Sequence, residues 1–165
     1  MSDRRKFIKK STIAALGTFL LPKKTESIMN NNNNLSEGLP IVISTWKHGL
    51  AANDAAMQAL LRGKTSIDAV ELGVRVSEAD PDCNSVGYGG WPDREGQVTL
   101  DACIMDKTGN CGSVSFLQNI KHPISVARKV MDETPHVMLS GEGAFQFAIS
   151  QGFKKENLLT KKAEG

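Results

Sequence analysis

The chain has 165 residues, 40% of them hydrophobic, enough for one domain with a buried core and too apolar for disorder over most of its length. Charge balances at 20 Lys and Arg against 18 Asp and Glu, so the net +2 gives no footprint for a polyanion and argues against a nucleic-acid partner. No run of about 18 apolar residues occurs, which argues against a helix built to span a bilayer.

The balance hides a split: residues 1 to 37 hold seven Lys and Arg against three Asp and Glu. The opening, Arg4-Arg5-Lys6-Phe7-Ile8-Lys9-Lys10, precedes a short apolar stretch from Ile13 to Leu21, closed by Pro22. A charged region before a short apolar one is the layout of a secretory signal, and the paired arginines make it twin-arginine-like, with a periplasmic destination expected. Asn30 to Asn34 is a polar homopolymer with no apolar surface to bury, and reads as a linker. Residues 1–38 are thus assigned to signal and linker, and 39–165 to the folded part.

In the folded part, Pro40 to Trp46 is a β-branched run and predicts a buried strand that delivers Trp46 at its end. Leu50 to Arg62, followed by Gly63, predicts a helix stopped by a C-terminal glycine. A second helix is expected from Thr65, whose hydroxyl can cap it with Asp68 three residues on, to Pro81. Residues 82–97 form a long Gly, Asp, Asn and Pro loop containing Gly87, Gly89 and Gly90, and loops of that length in compact domains are more often functional than decorative. Val98 to Met105 alternates as a strand, Asp106 to Asn110 supplies a turn, and Cys111 to Leu117 returns as its antiparallel partner. Pro123 suits the first turn of a third helix, ended by Thr134-Pro135; a short strand at Val137 to Leu139 and a last helix at Glu142 to Ser150 follow. That order predicts an α+β fold with helices segregated on an antiparallel sheet.

Three cysteines, Cys83, Cys103 and Cys111, without a CxxC spacing indicate neither a zinc ribbon nor a disulfide framework; free, buried thiols are expected, although a Cys103–Cys111 bridge across the hairpin is conceivable. No pair of the three histidines has ligand spacing, so neither a metal nor another cofactor is expected. The run Gly87-Tyr88-Gly89-Gly90 lacks the Lys-Ser/Thr and the strand-to-helix junction of a phosphate loop. Asp101, on the less apolar face of its strand, reads as structural, and the residues alone supply no complete nucleophile-and-base set.

Several stretches in one order carry a more specific signal: Ile43-Ser44-Thr45-Trp46, Ser66 to Glu71, Ser85-Val86-Gly87-Tyr88-Gly89-Gly90 with Pro92-Asp93, and Thr99 to Asp106. With Gly112-Ser113-Val114, Ile124 to Arg128 and Gly152 to Leu158, they closely resemble the glycosylasparaginases (aspartylglucosaminidases), from about Pro40 to Thr160. The resemblance implies an N-terminal-nucleophile hydrolase with a four-layer αββα sandwich, of which this chain is the α portion and incomplete without a β chain. It implies a precursor that cuts itself before a threonine, whose hydroxyl then attacks the substrate amide while its own α-amine is the base. No Asp-Thr junction occurs within the sequence, so the nucleophile and the substrate-gripping groups are expected in a β chain and no catalytic residue in this one.

By the same resemblance Trp46 lines the substrate pocket and Ser85 lies near it, while Gly87, Gly89, Gly90 and Asp101 support the loop or the hairpin. The implied substrate is asparagine carrying N-acetylglucosamine on its N4 amide, and the implied assembly a dimer of αβ units. Lys47-His48 departs from the neutral-aromatic pair usual after that tryptophan, which bears on substrate choice. Two rivals stand beside this reading: an asparaginase or isoaspartyl peptidase of the same fold, and a truncated or non-catalytic scaffold. A lone chain of residues 39–165 is expected to aggregate, because its sheet would lack strands that the β chain supplies.

Overall fold

The computed structural model describes residues 39–164; the signal and linker assigned to residues 1–38 lie outside them. Helix α1 (Gly49–Leu61) is followed by α2 (Ser66–Ala79), whose N-terminus is capped as the spacing predicts, the Thr65 hydroxyl accepting the Asp68 N–H at 3.3 Å. These two helices meet through Ala56, Ala59 and Ala69, small side chains that let their backbones approach closely. Strands β1 (Thr99–Met105) and β2 (Cys111–Gln118) form the expected antiparallel hairpin. Its turn is held by Asp106, which accepts the N–H groups of Thr108 and Asn110 at 2.8 and 3.0 Å.

Helix α3 (Pro123–Glu133) crosses from β2 to β3 (Met138–Ser140), and α4 (Gly141–Ser150) completes the order. The sheet runs β1-β2-β3, and β3 lies parallel to β2, Val114 opposite Leu139. The sheet is therefore mixed, not purely antiparallel: a strand that returns after a helical crossover comes back in its original direction.

All the helical packing falls on one sheet face. Ile104, Val114 and Leu117 meet Ile124, Val126, Ala127 and Val130 of α3 and Ala144 and Ala148 of α4 in the main core. Each large apolar side chain so buried contributes about 1.5–3 kcal/mol. At Gly112 the strand lies directly on α3, where a Cβ would overlap the Ala127 carbonyl oxygen and crowd the Met131 amide nitrogen. The opposite face carries Asp101, Cys103, Met105 and Phe116, all exposed, and no element among the described residues covers it.

Two further expectations need correction. Residues 40–46 are not a strand: Val42 packs against the α1–α2 cluster, but Ile41 and Ile43 are 82% and 86% exposed and, among the described residues, no strand pairs with this segment. Exposure alternates only over residues 40–43, and residues 43–46 are all exposed; a β-branched run becomes sheet only when another strand satisfies its backbone groups. The thiols are free, but only Cys83 is buried; Cys103 is exposed and Cys111 partly so. Cys103 follows Ala102 and precedes Ile104, and since Ile104 faces the helices, the period of two turns the thiol outward. Cys103 lies opposite Ser113 and Cys111 opposite Met105, so the two cysteines are diagonal rather than directly paired.

Candidate functional site

The Gly-rich loop is a built element held at both ends. Asp80 ends α2 and accepts the Asp82 N–H at 2.9 Å, and Asp93 organises the far end by accepting Glu95 and Gln97 N–H groups at 3.0 and 2.8 Å. Between these turns, Tyr88 N–H donates to the Glu78 carbonyl and Gly89 N–H to the Leu158 carbonyl, both at 2.8 Å. Gly87 adopts a left-handed φ of 61° and lies against the Glu78 backbone, where a Cβ would overlap the carbonyl oxygen. Both its conformation and its surroundings therefore require glycine.

Glu78 joins the loop to the rest of the fold. Its side chain is 2% exposed; one carboxylate oxygen accepts the Ile124 N–H at 2.9 Å and the other meets His122 Nδ1 at 3.2 Å. It thereby caps the first turn of α3 from a neighbouring helix, where Pro123 has no N–H to offer. Burial pushes its carboxyl above the usual glutamate range, against the opposing pull of His122, the Ile124 N–H and Arg75.

Beside this pair, Arg128 lies within 2.6 Å of Asp132, 3.2 Å of Asp68 and 3.7 Å of Glu71, tying α3 to α2. The Asp68 carboxyl is held below its ordinary range by the Thr65 hydroxyl, with Arg128 adding to the effect. Ser125 donates to Glu71 at 2.6 Å, and Glu71 is itself paired with Arg128, so the hydroxyl belongs to the contact that ties α3 to α2. Among the described residues no hydroxyl or thiol is hydrogen-bonded to a histidine side chain, and no three His, Cys, Asp or Glu gather as metal ligands.

The residues singled out from the sequence are distributed as follows. Trp46, 72% exposed, sits in the turn before α1, where its carbonyl accepts the Gly49 N–H at 2.8 Å. Ser85 is exposed within the loop, with its hydroxyl 3.7 Å from the Cys83 sulfur. Gly87, Gly89 and Gly90 are brought together in the buried base of the loop. No hydrogen bond joins Trp46 to the loop among the described residues. Asp101 lies apart, on the open sheet face, accepting the Phe116 N–H at 2.8 Å.

Sequence reasoning missed Glu78, His122 and Trp91. A glutamate in the last turn of a helix opposes the helix dipole, and that was the available signal for Glu78. Trp91 is 71% exposed and lines an apolar cleft with Pro81, Gly89 and Thr160 beside the loop.

Comparison with known proteins supplies the remaining information. A family model described as asparaginase matches residues 43–164. An N(4)-(beta-N-acetylglucosaminyl)-L-asparaginase from Elizabethkingia miricola is 54% identical over 163 residues, covering 99% of this chain and 48% of that protein. Proteins of the same name from Mus musculus and Rattus norvegicus are 46% and 44% identical, over 76% of this chain and 36% of each relative. The chain thus spans about half the length, or less, of these curated relatives.

Proposed function

We propose that this chain, which belongs to the asparaginase family of N-terminal-nucleophile hydrolases, is the α portion of an amidohydrolase that cleaves the N4-(β-N-acetylglucosaminyl)-L-asparagine bond. The observation that carries the reading is the apolar surface left open on the sheet face and along the unpaired 40–43 segment: Ile41, Ile43, Met105 and Phe116 are all more than half exposed. Apolar surface on that scale is what a protein layer covers, and relatives of about twice the length have the chain to provide it. The companion is a β chain from the same precursor, and its strands pack on the open face, so that the helix and sheet layers become one side of a four-layer αββα sandwich.

In this reading the precursor cuts itself before a threonine, and the new N-terminal residue does the chemistry. A free α-amine has a pKa near 8 and accepts a proton at neutral pH without a histidine, so the reading needs no hydroxyl–histidine pair, and none is present among the described residues. The threonine oxygen attacks the amide carbon, the glycosylamine leaves with the proton, and water hydrolyses the resulting ester to release aspartate. Trp46 and Ser85 supply part of the pocket wall, the Gly-rich loop carries Ser85, and Lys47-His48 tune tolerance for the sugar. The protein acts after export through its twin-arginine-like signal, as a dimer of αβ units.

The test is turnover by the complete gene product. Glycosylated asparagine is expected to exceed a β-aspartyl dipeptide in kcat/KM by at least about tenfold, near 1.4 kcal/mol of transition-state discrimination. Exclusive hydrolysis of the dipeptide would assign the protein to the isoaspartyl peptidases instead, and turnover of neither would favour a non-catalytic scaffold.

A further inference from the structure

The hairpin contains one irregularity, and it faces the open side of the sheet. Leu100 is opposite Leu117 and Ala102 is opposite Val114, so the single residue Asp101 faces both Ser115 and Phe116. This is a β-bulge, which removes one N–H from the ladder and re-aims the bulged side chains. The N–H released is that of Phe116, and the Asp101 carboxylate accepts it at 2.8 Å.

Phe116 has a φ of 52°, the left-handed region that glycine or asparagine occupies readily and a large aromatic residue does not. Its ring is nevertheless 54% exposed, outside the main core. The ring lies beside Gly141 at the start of α4 and lines a cleft with Gln118 and Phe145, yet stays half exposed, and a strained backbone that holds an aromatic ring so open points to a further contact.

We propose that Phe116 is the anchor by which the α portion grips its companion layer, and that Asp101 is the residue that holds the anchor in position. The inference rests on the preceding reading that the remainder of the same precursor covers this face. The face is composed for that occupant. Cys103, Met105, Ser113, Ser115 and Met138 share the sheet with the bulge, and Asp101, engaged internally, is the one charged residue that β1 and β2 contribute. Strands exposed to water normally carry lysines or glutamates against edge and face association, and these do not. Exposed aromatic anchors ringed by small or apolar side chains are the usual centres of tight protein contacts.

Cys103, two residues from Asp101 on the same face, provides the reporter. In the complete gene product the Cys103 thiol is expected to resist maleimide, read peptide by peptide by mass spectrometry. Phe116→Ala should speed its labelling at least tenfold and lower the urea concentration at which the two chains separate. Asp101→Leu should act in the same direction. Asp101→Asn, which keeps an acceptor oxygen, should stay close to wild type. Phe116→Gly relieves the backbone strain while removing the ring, so it keeps the test open if the alanine variant fails to fold, and it too should expose Cys103.

Protection of Cys103 that is unchanged in both Phe116 variants would overturn the anchor while leaving the companion layer intact. Protection that vanishes on dilution would assign the face to a second copy and also overturn the anchor. Rapid labelling of the wild-type protein would instead defeat the companion-layer reading itself.

Discussion

Gly112→Ala is expected to cost the complete protein about 3 kcal/mol or more, at the upper end of what overpacking does to a well-filled core. The added methyl has nowhere to go, because it meets backbone rather than the end of a flexible side chain: the Ala127 carbonyl oxygen and the Met131 amide nitrogen. Helix α3 would have to lift away from β2, separating Val114 and Leu117 from Ala127 and Val130, all of them at 1% exposure or less. Against a total stability of about 5–15 kcal/mol, that is enough to lower soluble yield visibly. Gly143→Ala is the control, since a Cβ there, in the first turn of α4, meets nothing within 4 Å. It should be neutral or stabilise by up to about 1 kcal/mol through helix propensity. Chemical denaturation of the two variants beside wild type decides the matter; equal midpoints for Gly112→Ala and wild type would mean that the strand and helix do not approach as closely as described.

Glu78→Leu is the second large effect, with an expected loss of about 2–3 kcal/mol from a buried, uncapped Ile124 N–H and a half-buried His122 left without its partner. Glu78→Gln keeps an acceptor for the Ile124 N–H and should lose less. The pH dependence separates charge from shape. Because burial raises the folded-state pKa of Glu78, the folded protein binds its proton more tightly than the unfolded chain does. The stability gained in this way is complete below the unfolded glutamate value, near pH 4, and drains as pH rises through the folded value. The glutamine variant cannot lose it. Its denaturation midpoint should therefore gain on wild type as pH is raised from about 4 towards neutrality, whereas a difference independent of pH would mean that Glu78 does not change its protonation on folding.

The helices were legible because each is specified within a few residues. Thr65 and Asp68 mark one start and Pro123 another, and the alternation from Val98 with the turn at Asp106 marks the hairpin. What escaped depends on partners distant in sequence. The β-branched run at 40–46 has the composition of a strand, but pairing is a property of two segments, and among the described residues the second is missing. The parallel direction of β3 follows from α3 lying between it and β2, an order visible in the sequence but outweighed there by the hairpin. The alternation that identified β1 also turned Cys103 outward, contrary to the expectation of buried thiols.

The site was less legible than the fold. Glu78 finds its partners 44 and 46 residues away, and no local pattern indicates that distance. Trp46 and Ser85 were singled out through resemblance to a family, since neither spacing nor periodicity distinguishes them from ordinary turn residues. The bulge at Phe116 left no mark in the sequence beyond an aromatic residue after Ser115, because it consists in a register shift between two strands.

The central claim is that this chain forms the walls of a site whose reactive group is a threonine in the rest of the precursor. The most direct measurement is intact-mass and activity analysis of the complete gene product with that threonine intact and replaced by valine. The wild type is expected to yield two chains, the second beginning with threonine, and the variant a single uncut, inactive polypeptide. Full amidase activity in the valine variant would contradict the claim.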